Sequence, residues 1–183
     1  LQIDKTKPLI VAGSTTPEEH VLLLHAIPQN VQLLCAPRRP EWFDESAQAL
    51  APCNRRTSSE RHATNMFLLD TIGELDMAYA LADIVIIGRS FSPLHGSDPV
   101  QAIALGKPTI IGPNVHDFKD MVQILVQGGG LLQCSSESLQ EQIALLLCDD
   151  SICSALATSG RGIIQSQQGA TKKYAQLIMD NTP

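Results

Sequence analysis

The sequence contains no apolar run approaching the ~18 residues that a membrane-spanning helix needs, and no charged, apolar and small-residue succession of a signal peptide opens it. Its cysteines, Cys35, Cys53, Cys134, Cys148 and Cys153, are odd in number and form no C-x-x-C pair. That pattern excludes a zinc framework and a secreted disulfide scaffold, and it favours a reducing compartment. Positive charge is scarce: 13 Lys and Arg stand against 19 Asp and Glu, a formal net charge of -6. Nucleic-acid binding normally needs the opposite balance. Missing too are G-x-G-x-x-G after a strand pattern, G-x-x-x-x-G-K-[ST], H-E-x-x-H and G-x-S-x-G, which removes the usual NAD, ATP, zinc-peptidase and hydrolase signatures. The histidines are dispersed, and only His95, in a glycine-bearing loop, is kept as a candidate; neither a metal nor a cofactor is expected.

What is present is the composition of a folding chain: 183 residues, 44% apolar and 17% charged, enough for one sizeable core. Apolar runs rich in Val and Ile recur at 8–12, 31–36, 66–69, 84–87 and 108–111. They do not alternate, which predicts parallel strands covered on both faces. Helix punctuation lies between them. Thr16-x-x-Glu19 opens a helix that Pro28 stops, Thr71-x-x-Glu74 opens one to about Ala82, and Asp98 caps one with Pro99 in its first turn and Gly106 at its end. Gly128, Gly129 and Gly130 end a helix from Asp117 and turn the chain into a short strand. Ser138-x-x-Glu141 opens an amphipathic helix with Leu139, Ile143, Leu146 and Leu147 on one face. Helices at 151–168 and 170–179, broken at Gly169, form a tail that packs back on the sheet or on a neighbour. The polar stretch 52–65 reads as a loop. The expectation is a single α/β domain over 1–183, a Rossmann-like doubly wound parallel sheet with a helical carboxyl-terminal tail.

In such sheets ligands bind beyond the carboxyl ends of the strands, and three segments fall there. Pro37-Arg38-Arg39-Pro40 places an arginine fork, suited to phosphate or carboxylate, in a loop stiffened by two prolines; a solvated basic turn explains it equally. Thr71-Ile72-Gly73-Glu74 offers backbone N–H groups for an anion or sugar hydroxyl, or is simply helix-cap grammar. The small-residue loop 88–101 delivers a ligand to a helix start at Asp98, Pro99, Val100 and Gln101, or again only caps it. Leu1 in place of Met suggests a piece of something longer.

Taken together, these residues resemble a family. Pro37-Arg38-Arg39-Pro40-Glu41-Trp42-Phe43 is similar to the P-R-H-P-E-R-F segment of bacterial 3-deoxy-D-manno-octulosonic acid (Kdo) transferases. Arg56-Thr57-Ser58-Ser59-Glu60 resembles their R-S-S-G-E, and Asp70-Thr71-Ile72-Gly73-Glu74-Leu75 their D-T-M-G-E-L. Tyr79 through Asp83 resembles Y-x-x-A-D, and Gly106-Lys107-Pro108 with Gly112-Pro113 through Asp120 resembles G-K-P-V-x-x-G-P-x-x-x-N-F-x-D. The matches run in order from about Leu9 to Leu125.

The resemblance implies the carboxyl-terminal half of a two-domain GT-B glycosyltransferase of lipopolysaccharide synthesis, the half that binds the donor CMP-Kdo. It implies that Pro37, Arg38, Ile72, Gly73, Glu74, Asp98, Pro99, Val100 and Gln101 line the CMP site, with Arg56, Arg89 and Ser90 as further donor-loop contacts. It also implies a lipid A precursor as acceptor, held with the catalytic base and membrane anchor by an amino-terminal half outside this chain. The fragment alone should then be inactive and in solution, while the whole enzyme works on the cytoplasmic face of the inner membrane. Family positions held by Asn and Glu are Asp98 and Gln101 here, a histidine is Ser97, and a glycine is Arg89. A carboxylate ~4 Å from a donor phosphate costs on the order of 1 kcal/mol even in water. Another GT-B enzyme with a different nucleotide sugar, and a non-catalytic paralogue, remain as competing readings.

Overall fold

The computed structural model describes residues 1–167; the helix expected over 170–179 and the break at Gly169 lie outside the described residues. A parallel sheet of seven strands has the order β3-β4-β2-β1-β5-β6-β7. The strands are β1 (Leu9–Thr15), β2 (Gln32–Pro37), β3 (Asn54–Arg55), β4 (Met66–Leu68), β5 (Ile84–Ile87), β6 (Thr109–Ile111) and β7 (Leu132–Gln133). Every residue of β5 is buried, as an unalternating Ile and Val run requires when both sheet faces are covered; each such side chain is worth about 1.5–3 kcal/mol relative to exposure.

The period of two divides the core. Leu9, Val11, Leu34, Phe67, Val85 and Ile87 point into one apolar layer, and Ile10, Ala12, Leu33, Leu68, Ile84 and Ile86 into the other. Helices α3 (Leu75–Leu81), α4 (Val100–Ala104) and α5 (Lys119–Gln127) cover the first layer through Ala78, Tyr79, Ala102, Ile103, Val122 and Leu125. Helices α1 (Pro17–Ala26), α2 (Phe43–Ala49) and α6 (Leu139–Cys148) flank the second, with Leu23, Ala26, Leu139, Ile143 and Leu146 inside it. The chain steps outward from β1 over one face and from β5 over the other, which is what right-handed crossovers demand. The two directions diverge between β1 and β5, the topological switch point.

The tail helix α7 (Asp150–Gln167) packs back on the sheet, as expected. Leu156 belongs to one core layer and Ile164 to the other. It crosses at the amino ends of the strands, where Asp150, Cys153 and Ala157 line a cavity of about 550 Å³ with Pro8, Asp83 and Pro108. The described part of the tail therefore leaves the opposite, carboxyl edge uncovered.

Local signals held unevenly. At Thr16 both halves of the capping box form, Glu19 N–H to Thr16 Oγ1 at 3.4 Å and Thr16 N–H to Glu19 Oε2 at 3.0 Å. Gly106 and Gly129, at φ +71° and +68°, close α4 and α5. Each has the paired bonds of a Schellman turn, Lys107 N–H to Ala102 O with Gly106 N–H to Ile103 O, and Gly130 N–H to Leu125 O with Gly129 N–H to Val126 O. Two expected capping boxes do not form. Ser138 precedes α6 but its hydroxyl bonds back to Ser135 O. Thr71 and Glu74 bond to each other by side chain, and α3 starts only at Leu75, because Gly73 turns at φ +88°. Within the expected loop 52–65, Asn54 and Arg55 add a short strand at the sheet edge. Asn54 closes the rest by accepting from His62 N–H and donating to His62 O.

Candidate functional site

All the candidate residues sit along the carboxyl edge of one sheet. Backbone bonds tie their segments in sequence across it: Arg56 N–H to Leu68 O at 2.9 Å, Leu69 N–H to Cys35 O at 2.8 Å, Arg38 N–H to Thr15 O at 3.0 Å, and Gly88 N–H to Gly13 O at 2.8 Å. Arg56 thus follows β3, Ile72 to Glu74 follow β4, Pro37 and Arg38 follow β2, and Arg89 to Gln101 follow β5.

Their accessibility differs. Arg38 is exposed, and among the described residues its guanidinium has no hydrogen-bond or ion-pair partner, whereas neighbouring Arg39 lies 5.2 Å over the Trp42 ring. Ile72 is 68% exposed, and Gly73 has nothing within 4 Å of a would-be Cβ. Glu74 accepts from Arg56 Nε and Nη2, both at 3.1 Å, and from Thr71 Oγ1 at 2.6 Å. The Thr71 bond and then the Arg56 bonds hold its carboxyl below the ordinary glutamate value. Asp98 is exposed and its Oδ1 accepts from Val100 N–H at 2.9 Å. It lies one residue ahead of the formal cap, since Pro99 directly precedes α4. Pro99 is buried, leaving Asp98 and Gln101 as the exposed side chains of this segment. With only five residues, α4 has little dipole of its own to offer an anion.

Two candidate contacts serve the scaffold. Ser90 is fully buried, and its hydroxyl donates to Ile87 O while accepting from Gly112 N–H at 2.8 Å. Arg89 donates from Nη2 to Leu94 O, within its own loop. His95 and His116 place their ring centroids 5.5 Å apart; among the described residues no group of three or more His, Cys, Asp or Glu side chains could hold a metal ion.

The structure also adds residues that spacing alone does not reveal. Asp70, at the end of β4, has a side chain only 1% exposed that accepts from Arg55 Nε at 2.8 Å and from the Thr57 N–H and hydroxyl. Burial by itself would raise this carboxyl; the bonds from Thr57 and Arg55 outweigh it and hold it low. A carboxyl lowered in the folded state contributes stability above its unfolded value of about 3.9, lost as pH falls through the folded value. Asp70→Asn should therefore cost about 2 kcal/mol at pH 7 and less near pH 3, read from urea midpoints at the two pH values. Equal losses at both would show that ionisation is irrelevant. Tyr79, buried on α3, packs the end of its ring against Gly13, where a Cβ on β1 would require the ring to shift. Burial, then the nearby Asp98 charge, pushes this phenol up.

Comparison with known proteins gives this edge its context. No protein-family model matches the chain. Over 95% of its length the chain is 30% identical to 3-deoxy-D-manno-octulosonic acid transferase of Bordetella pertussis, and over 94% it is 28% identical to that of Haemophilus influenzae. The chain is a relative of the Kdo transferases. It spans 45% and 44% of those two proteins, a little under half of each. The fold matches the crystal structure of the C-terminal CMP-Kdo binding domain of WaaA from Acinetobacter baumannii with a TM-score of 0.81, covering 87% of this chain and 90% of that one at 22% identity. It also matches WaaG, a glycosyltransferase involved in lipopolysaccharide biosynthesis, with a TM-score of 0.60 over 96% of this chain and 48% of that one, at 14% identity. The Rossmann-like sheet thus has the fold of a GT-B-like half. Among the described residues no single helix is long and apolar enough to cross a membrane.

Proposed function

We propose that this Kdo-transferase relative is the donor-binding domain of an enzyme that transfers Kdo from CMP-Kdo to a lipid A precursor. The observation that carries this is the agreement with curated Kdo transferases over 95% of the chain, to which the fold of a CMP-Kdo binding domain adds independent support. The geometry fits a donor half: the candidate segments share one edge, which the described part of the tail leaves uncovered, while a cavity of about 550 Å³ lies at the other end of the strands. In the reaction, an acceptor hydroxyl oxygen bonds the anomeric carbon of Kdo, the bond from that carbon to the phosphate oxygen breaks, and CMP leaves with the electron pair. The hydroxyl proton goes to a base of the acceptor half. This chain's share is to hold CMP. Arg38 neutralises the phosphate, Gln101 meets a ribose hydroxyl, and Gly73 with the tethered Glu74 meets the remaining polar edge of the nucleotide. The acceptor site and the attachment to the inner membrane belong to the other half.

Titration of CMP, UDP and GDP against the chain, followed by amide NMR, tests this reading. CMP should shift Arg38, Gly73 and the segment from Asp98 to Gln101 at millimolar concentration. Preference for a purine nucleotide or a diphosphate, or shifts elsewhere, sinks the assignment. Asp98→Asn combined with Gln101→Glu should tighten CMP binding about fivefold, the factor that removing a ~1 kcal/mol repulsion near the phosphate corresponds to. Unchanged affinity would refute the charge argument. Expression of the full-length gene in a transferase-deficient strain separates an enzyme from a non-catalytic paralogue, which would leave the lipid unglycosylated.

A further inference from the structure

One carboxylate spans the switch point. Glu19, in the first turn of α1 and therefore next to the end of β1, is 4% exposed. Its Oε2 accepts from Arg89 N–H at 2.8 Å and its Oε1 from Phe91 N–H at 3.0 Å, in a loop 70 residues further along the chain. Oε2 also accepts from Thr16 N–H. The strands beneath approach as closely as they can: a Cβ on Gly88 would lie 2.6 Å from Ser14 O. The loop Glu19 grips is not at rest by itself. Arg89 and His95 hold left-handed φ values of 59° and 65°, which non-glycine residues adopt at a cost and keep only when their surroundings impose them. Buried Ser92 Oγ and Ser97 Oγ have no partner in this loop.

We infer that Glu19 is a positioning residue for the donor edge, fixing the loop after β5 against the turn after β1 so that the segment ending at Gln101 is presented to the nucleotide. The inference rests on the donor-binding reading. Burial pushes the Glu19 carboxyl up, against the pull of the Arg89, Thr16, Phe91 and Ser92 amides. A carboxyl raised in the folded state stabilises fully only below its unfolded value and loses that contribution as pH rises through the folded one. The titratable groups around Glu19 are Glu18 and His20 on its own helix, Cys35 on β2 and Arg89 on the loop. Burial lowers His20 to about 4 and raises Cys35 well above its ordinary value, so neither changes charge near neutrality.

The test compares wild type, Glu19→Gln and Thr16→Ala by CMP titration and amide exchange. Glu19→Gln keeps the size but turns amide hydrogens toward backbone donors; its Kd for CMP should rise roughly ten- to a hundredfold, with faster exchange at Arg89 and Phe91. Thr16→Ala removes the other half of the cap and should leave both readouts as in wild type. Wild-type affinity in Glu19→Gln overturns the inference, as does equal weakening by Thr16→Ala, which would trace the effect to helix capping. If Glu19→Gln does not fold, the wild-type chain still decides: on acidification the Arg89 and Phe91 amide shifts should follow the Glu19 carboxyl titration while the far-UV spectrum is constant. Shifts that ignore that titration overturn the link. A wild-type chain that ignores CMP while those shifts do follow Glu19 overturns the donor reading alone.

Discussion

Gly112→Ala should lower the thermal midpoint by roughly 6–12 °C and weaken CMP binding with it. The added Cβ would sit 2.4 Å from the backbone oxygen of Ser90 and 2.6 Å from its carbonyl carbon, and neither atom can move aside as a flexible side chain would. The strands β5 and β6 that lead into the two residues are locked by their ladder, and the same junction is bonded from Gly112 N–H to Ser90 Oγ and from Asn114 N–H to Ser90 O. Overpacking against such a site costs about 3 kcal/mol, and each kcal/mol moves the midpoint of a chain this size by about 2–4 °C. The strain falls on Ser90, the root of the loop leading to Asp98, so donor affinity should drop even where the fold survives. Gly162→Ala is the control. Gly162 lies in α7 with nothing within 4 Å of a would-be Cβ, and helix propensity there predicts a gain of up to about 1 kcal/mol. Equal midpoints for the two variants, by differential scanning calorimetry, would show that the glycine contacts are not restrictive.

The contrast between those glycines is invisible in the sequence, and it marks where sequence reasoning stops. Runs such as Ile84–Ile87 announce themselves because a strand buried on both faces must be apolar at every position. Thr16 and Glu19 announce a helix start because their bonds are made within three residues. From such local signals the sheet, its carboxyl edge and the segments along that edge all follow. The exceptions share one cause, which is competition from distant partners. Thr71 and Glu74 have the spacing of a cap, but Arg56, 18 residues away, draws the carboxylate outward and Gly73 turns the chain first. Asn54 and Arg55 look like loop residues, since two polar positions at an edge carry no hydrophobic pattern. Ser90 and Arg89 stand where a ligand contact is expected, yet Ser90 is consumed by Ile87 and Gly112, and Arg89 by Leu94 and, at its backbone, by Glu19. The location of the edge is a local property of strand ends. Which side chains on it are free is a property of tertiary pairing.

That pairing leads to Arg38→Ala as the substitution with the largest expected effect on ligand binding at the least expense in stability. Arg55 is held by Asp44 and Asp70, Arg56 by Glu74, Arg61 by the carbonyls of Ser58 and Glu60, Arg89 by Leu94 O, and Arg161 by Leu105 O, while Arg39 stacks on Trp42. Among the described residues Arg38 alone of the arginines has its guanidinium uncommitted, and its backbone N–H ties the end of β2 to the end of β1. A chain with a net charge of -6 repels a phosphate at long range, so binding one requires a cation placed at the contact; an arginine fork on a phosphate supplies both charge and two directed donors. Loss of it should raise the Kd for CMP roughly ten- to a hundredfold, the equivalent of about 1.4–3 kcal/mol, while the unfolding free energy stays within about 0.5 kcal/mol because no internal bond is broken. Arg38→Lys should recover only part of the loss, as a point charge without the fork. Raising salt to about 1 M shrinks the screening length to about 3 Å and should narrow the gap between wild type and Arg38→Ala. Calorimetric titration of CMP at two salt concentrations reads all three effects, and an Arg38→Ala chain that binds as wild type does would place the phosphate elsewhere on the molecule.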